Sequence, residues 1–152
     1  MKLFNTWPLS YRCDTITTTT ELGNMAFQIG NNREDVIANR NKLAEELNIP
    51  LEKFVFVHQS HSDVIKEVGP NVLGAGEKSF ESGIEADALY TKETGVPLGI
   101  FHADCEPIFF IDETVPLIGI IHAGFKGTMK HIAYKAIKEV CEKLKLSAIK
   151  DS

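Results

Sequence analysis

The side chains with most chemistry to offer in this chain are five histidines and three cysteines, several of them placed where apolar runs end. His102 closes one such run, Asp104, Cys105 and Glu106 follow it, and His122 closes another. Imidazole nitrogen and thiolate sulfur together suit a zinc-like ion, and three such ligands leave one position open for water or substrate. Their spacing matches no zinc finger, so a closed structural site is not expected. The same residue types permit a second chemistry, in which His122 activates Cys105 as a nucleophile. A third reading needs no chemistry, because an unpaired cysteine commonly serves as a small buried hydrophobe. The residues alone do not choose among the three.

Two further features ask for explanation. Val36, Leu43, Ala44 and Leu47 form the apolar face of a helix, and Arg40 falls in the middle of it. An arginine there must snorkel, pair with a carboxylate or hold an anion. Structural pairing is the commoner outcome and anion binding the sharper one. The stretch His122-Ala-Gly-Phe-Lys-Gly-Thr128 joins a strand to a helix. Gly124 and Gly127 would let the backbone approach a ligand, Thr128 would cap the helix, and Lys126 would add charge suited to phosphate or carboxylate. It matches neither a phosphate-cradling Walker loop nor a dinucleotide fingerprint. His131 reads as a surface residue of the last helix, and His58 and His102 as neighbours of the site.

These residues need elements to position them. Thr15 to Thr20 reads as an edge strand and Met25 to Ile29 as a short strand, followed by a turn at Gly30-Asn31-Asn32. A helix is predicted from about Arg33 to Leu47, closed by Asn48 and Pro50. Lys53 to His58 is rich in β-branched and aromatic residues, as in a buried strand. Gly69 to Gly83 carries four glycines without periodicity, which predicts a long mobile loop. Four apolar runs follow, Ala86–Thr91, Pro97–His102, Pro107–Asp112 and Pro116–His122. Their connections are too short for crossover helices and predict an antiparallel meander. A last helix is expected from about Thr128 to Leu144, with Met129, Ile132, Ala133, Ala136, Ile137, Val140 and Leu144 on one apolar stripe. Such a meander gathers Asp87, His102, Asp104, Cys105, Glu106 and His122 along one sheet edge. Nothing local says where His61 lands.

Composition narrows the function classes. A length of 152 residues, 43% apolar and 24% charged, suits one domain with a real core and excludes wholesale disorder or a collagen-like fibre. Acids outnumber bases 21 to 16, for a net charge of −5, so a nucleic-acid backbone or an anionic membrane is a poor partner. Neither a membrane-spanning run nor a secretory h-region is visible, and three scattered cysteines make no disulfide framework. A cytoplasmic location is the expectation.

Taken in order, Asn39-Arg40, Gln59-Ser60-His61, Glu85-Ala-Asp-Ala-Leu, Ala103-Asp-Cys-Glu-Pro-Ile and His122-Ala-Gly-Phe-Lys-Gly resemble the YfiH-like, laccase-domain proteins. The likeness runs from about Ile29 to the last helix, and the Ala-Asp-Cys-x-Pro and His-Ala-Gly motifs together make it specific. It implies an α+β fold with a mixed, largely antiparallel sheet and flanking helices, an α/β sandwich similar to the cytotoxic necrotizing factor catalytic domain. It also implies purine nucleoside phosphorylase activity with adenosine deaminase activity, and zinc on His61, Cys105 and His122. Copper is less favoured, since five histidines scarcely supply several copper centres.

On that resemblance Arg40, with Lys126, would hold phosphate; Asp87 or Asp104, both expected on the sheet edge that carries Cys105, would transfer protons. The chain departs from the family pattern at Ser60-His61-Ser62, where Val-His-Gly is usual, and at Phe125-Lys126, where Trp-Arg is usual. Relatives also continue beyond the last helix, so residues 1–152 are expected to form one laccase-like domain lacking the family's C-terminal part. A second copy could complete its sheet. The alternatives are a metal-free Cys105–His122 hydrolase or amidase, and a shortened relative that binds metal or nucleoside without turnover.

Overall fold

The computed structural model describes residues 3–6, 13–30 and 32–151. The architecture is α+β, with three sheets among the described residues. Strands β1 (Phe4–Thr6) and β2 (Ile16–Thr18) form an antiparallel ribbon. Helix α1 covers Arg33–Leu47. A small parallel sheet has β3 (Val55–His58) between β5 (Ile84–Glu85) and β7 (Leu98–Gly99). The main sheet runs β4-β6-β9-β8, with β4 (Ile65–Glu67), β6 (Ala88–Thr91), β8 (Glu106–Asp112) and β9 (Leu117–Ala123). Helices α2 (Phe125–Met129) and α3 (Ile132–Asp151) follow. Among the described residues no helix is long and apolar enough to cross a membrane.

Local signals placed several elements well. Asn32 starts α1 by accepting the Asp35 amide at 3.2 Å, and Asn48 ends it in the left-handed region at φ 55°. Of the expected turn before it, Asn31 lies outside the described residues. Asp112 closes the β8–β9 hairpin by accepting the amides of Thr114 and Val115. Alternation along β6 and β9 gives the main sheet two buried faces. Leu89 and Ile120 meet Val55, Phe56, Val57 and the Ala44 side of α1. Ala88 and Ile121 meet Ile132 and Ala136 of α3 on the other face, with Tyr90, Leu117 and Val140 beside them.

Four expectations are corrected. Met25–Ile29 is a turn, because the Asn24 side chain bonds Ala26 N, Ala26 O and Ile29 O, the backbone groups a ladder would use. The meander is broken at its second strand: β7 leaves it and pairs with β3 in parallel, Val55 opposite Leu98 and Phe56 opposite Gly99. Gly99 is suited to that place, since a Cβ there would lie 2.5 Å from Phe56 Cδ1. The Gly69–Gly83 stretch is irregular yet tied down, with Phe56 N bonded to Ala75 O and Gly74 N to Phe54 O, both at 2.9 Å. The last helix is interrupted at Lys130–His131, where His131 takes φ 59°. Ile132, Ala136 and Val140 are buried as its stripe predicts, but Met129 and Ile137 face solvent, and Thr128 lies within α2 instead of capping a helix.

Candidate metal centre

Pairing in the main sheet brings the ends of distant segments to one edge. Strands β6 and β9 are antiparallel, so the start of β6 lies beside the end of β9, and His122 N bonds Asp87 O at 2.7 Å. Strand β8 starts at the same edge, with Glu106 opposite Ala123, which sets Cys105 just beyond it. The parallel pairing of β4 with β6 delivers the loop before β4, and with it His61. Donor atoms of His61, Cys105 and His122 all lie within 4.8 Å of one another.

Burial grades across this trio: His122 is buried, Cys105 half-buried and His61 exposed. The two imidazoles stand edge to face with centroids 4.9 Å apart. His61 adopts φ 60°, an uncommon conformation for a side-chain-bearing residue. Its pose is bounded by Gly124, where a Cβ would fall inside contact with His61 Nδ1 and 3.0 Å from His122 Cε1.

Behind the trio sits Asp87, fully buried. Its carboxylate meets His122 Nδ1 at 2.7 Å and accepts the amides of Ser60, His61 and Ser62 at 3.1, 3.1 and 2.9 Å, and the Ser62 hydroxyl at 2.6 Å. Burial pushes the Asp87 pKa up, but the bonds from His122 and Ser62 and from the Ser62 and Ser60 amides outweigh it and hold the group at about 2.

A cleft of about 590 Å³ opens over the trio. Its walls include the threonines after β2, Met25, Phe54, Phe56 and Phe101, and Asp104 and His102 also line it. Partial burial and neighbouring His122 push the His102 pKa down. The segment carrying His102 to Cys105 is held by Gln59, whose amide bonds both N and O of Phe101, at 3.0 and 2.6 Å.

The remaining expected residues lie elsewhere. Arg40 is buried at 1% exposure, with Nε on Met25 O at 2.8 Å and Nη1 on Gly76 O and Glu77 O at 2.6 and 3.1 Å. Its guanidinium sits 4.2, 4.4 and 5.0 Å from the ring centroids of Phe27, Phe56 and Phe101. Burial lowers its pKa to about 10, which leaves the charge in place at neutral pH. Arg40 is absent from the cleft lining, and backbone carbonyls occupy its Nε and Nη1. Lys126 is exposed in α2, outside the cleft lining. His58 is half-buried against Phe80, centroids 3.9 Å apart, and His131 is exposed at the α2–α3 break.

Sequence reasoning singled out Gln59, Ser60 and Ser62 only as motif positions and missed what they hold, along with the packing role of Gly124. The hydroxyls on both sides of His61 were the available signal for an anion-holding turn.

Comparison with known proteins bears directly on this arrangement. Residues 13–150 match the profile of the multi-copper polyphenol oxidoreductase laccase family. The chain belongs to that family. It is 41% identical over 111 residues to purine nucleoside phosphorylase YlmD of Geobacillus stearothermophilus, covering 72% of this chain and 40% of that protein. It is 29% identical over 119 residues to adenosine deaminase RL5 of an unknown prokaryotic organism, covering 78% and 45%. Among solved structures, Bacillus licheniformis YfiH aligns with a TM-score of 0.78 at 29% identity, covering 93% of this chain and 50% of that one. The chain therefore spans about half the length of the relatives it matches. The laccase-family match includes all three members of the trio.

The donor set fits a borderline-soft metal of the zinc kind. Ligands on a tetrahedral zinc sit roughly 3.5 Å apart, so drawing atoms in from 4.8 Å asks for shifts of about 1 Å. With Nδ1 facing a carboxylate, His122 presents Nε2 for ligation, the usual pose of a metal-binding histidine.

Proposed function

We propose that this chain carries a zinc-dependent centre acting on purine nucleosides, by phosphorolysis of adenosine or inosine and by deamination of adenosine. One observation carries the reading: two imidazoles and a thiol from three separate segments converge on one point at a cleft of about 590 Å³. Similarity to a purine nucleoside phosphorylase and to an adenosine deaminase supports the substrate class.

In this reading His61, Cys105 and His122 hold the ion. A zinc ion there would polarise substrate or lower the pKa of water from 15.7 toward about 7. In deamination, water adds at purine C6 and the amino group leaves as ammonia. Asp104 carries the proton from one to the other, because it lines the cleft while both oxygens of Asp87 are occupied. In phosphorolysis, a phosphate oxygen bonds ribose C1′ as the bond to the purine nitrogen breaks and its electron pair leaves with the base. Lys126 remains the cation proposed for phosphate, from an exposed place on α2 outside the cleft lining. Arg40 shapes the cleft wall through Met25, Phe56 and Phe101 instead of touching phosphate.

Incubating zinc-loaded protein with adenosine or inosine, with and without phosphate, tests this by chromatography. Free base and ribose-1-phosphate, or inosine from adenosine, are the expected products. Zinc binding with no product from either nucleoside would sink the catalytic claim and favour the binding-only reading.

A second reading rests on the order Asp87, His122, Cys105, with His122 Nδ1 on the carboxylate and Cys105 Sγ within 4.8 Å of a His122 ring nitrogen. That order also suits a cysteine hydrolase. Alkylation of Cys105 separates the two: zinc protects the thiol if it is a ligand, and leaves it reactive if it is a free nucleophile.

A further inference from the structure

We propose that Asp87 is a positioning residue for the metal centre, its single buried carboxylate setting both histidine ligands at once. The inference rests on reading His61, Cys105 and His122 as metal ligands. It replaces the proton-transfer role expected for Asp87, and it concerns how the site is built.

The case starts from donors and acceptors. An ionised carboxylate only accepts hydrogen bonds, so the 2.7 Å contact requires the proton of neutral His122 to sit on Nδ1. Nε2 then carries the lone pair that a metal needs. The effect on His61 runs through its backbone. Asp87 gathers the amides of Ser60, His61 and Ser62, three consecutive N–H groups converging on one anion, and the middle residue holds φ 60°. The Ser62 hydroxyl adds a further donor at 2.6 Å. Without the anion, those amides lose their partner and the turn loses what keeps His61 in the left-handed region. One side chain thus couples a ligand on β9 to a ligand on the loop before β4. Cys105, carried by a different segment, is outside this control.

Replacing Asp87 by asparagine preserves shape while exchanging one acceptor for a donor. The asparagine oxygen keeps the Oδ1 place, where the Ser60 and Ser62 amides and the Ser62 hydroxyl donate, so its N–H group takes the Oδ2 place against the His122 ring and the His61 amide. There it makes Nδ1 the acceptor and moves the His122 proton to Nε2, where it blocks ligation.

The test uses wild-type protein and Asp87→Asn. Zinc affinity is measured by competition with a chromogenic chelator, and the His122 tautomer by ¹⁵N-detected NMR of the metal-free protein. The expected result is a loss of roughly 10- to 100-fold in zinc affinity, together with a switch from the Nδ1–H to the Nε2–H tautomer. A purely structural role would lower the melting temperature and leave the tautomer alone. Asp87→Asn that binds zinc like wild type, or keeps the Nδ1–H form, overturns the proposal. If the variant does not fold, the wild-type spectrum decides: an Nδ1–H tautomer supports the proposal and an Nε2–H tautomer overturns it. Wild-type protein that binds no zinc defeats the metal-site reading itself. Zinc bound equally by both proteins defeats only the role of Asp87.

Discussion

Gly124→Ala isolates the geometry of the centre from its chemistry. Gly124 has φ −78° and ψ 175°, an extended backbone open to any residue, so alanine adds only a methyl group. That methyl would lie inside contact with His61 Nδ1, 2.9 Å from His61 Cε1 and 3.0 Å from His122 Cε1. His122 is buried and tied to Asp87, whereas His61 is exposed, so His61 is the ring that yields. Restoring an ordinary contact of 3.5–4.0 Å needs it to retreat by about 1 Å. Metal–ligand distances tolerate only about 0.2 Å. The substitution should therefore release one ligand of three and lower zinc affinity on the order of 100-fold, about 2.7 kcal/mol. Because the displaced ring moves into solvent, folding stability should fall by only about 1 kcal/mol. Chelator competition reads the first quantity and thermal unfolding of the metal-free protein reads the second. Wild-type zinc affinity in Gly124→Ala would refute the reasoning, since it would mean that His61 binds no metal in the pose described.

Arg40→Ala leaves the carbonyls of Met25, Gly76 and Glu77 without their buried partner, and should cost about 3–5 kcal/mol, or a fall in Tm on the order of 10 °C. A Tm within a degree or two of wild type would show that the clamp contributes little. Cys105→Ser should bind zinc far more weakly than wild type while keeping a near-native Tm, as equilibrium dialysis and a melting curve can show. For pH, the Asp87 pKa is lowered from 3.8 to about 2 in the fold. Its contribution, about 2 kcal/mol, is therefore complete above pH ~4 and lost as pH falls toward 2. Urea unfolding of metal-free protein between pH 6 and 2.5 should show that loss, and Asp87→Asn should lack that component.

Sequence and fold agree where the deciding contacts are close along the chain. The bounds of α1 were legible because Asn32 and Asn48 act within a few residues of the ends they set. The β8–β9 hairpin was legible for the same reason, its turn being closed by Asp112. Disagreement begins where a partner is remote. Pro97–His102 looks like any strand of a meander, and only the fit of Gly99 against the Phe56 ring moves it to a different sheet. The break before α3 has a similar character: the apolar stripe continues across it, while the left-handed His131 interrupts the hydrogen bonding.

The candidate site divides along the same line. Residue types alone nominated Cys105 and His122 as ligands or as a nucleophile and its base, because thiol and imidazole carry their chemistry wherever they sit. The motif resemblance added His61. Tertiary structure decided what the spacing left open. Parallel pairing of β4 with β6 brings the His61 loop to the edge where β6 begins and β9 ends. It also decided the part played by the two charged residues whose types were most suggestive. Arg40 is claimed by three carbonyls and three aromatic rings, and Asp87 by a turn and a strand that meet only in the folded state. Caps, turns and periodicity are local and can be read from neighbouring residues. The partners of a buried charge come from anywhere in the chain, so only the packed fold reveals whether that charge faces a ligand or its own backbone.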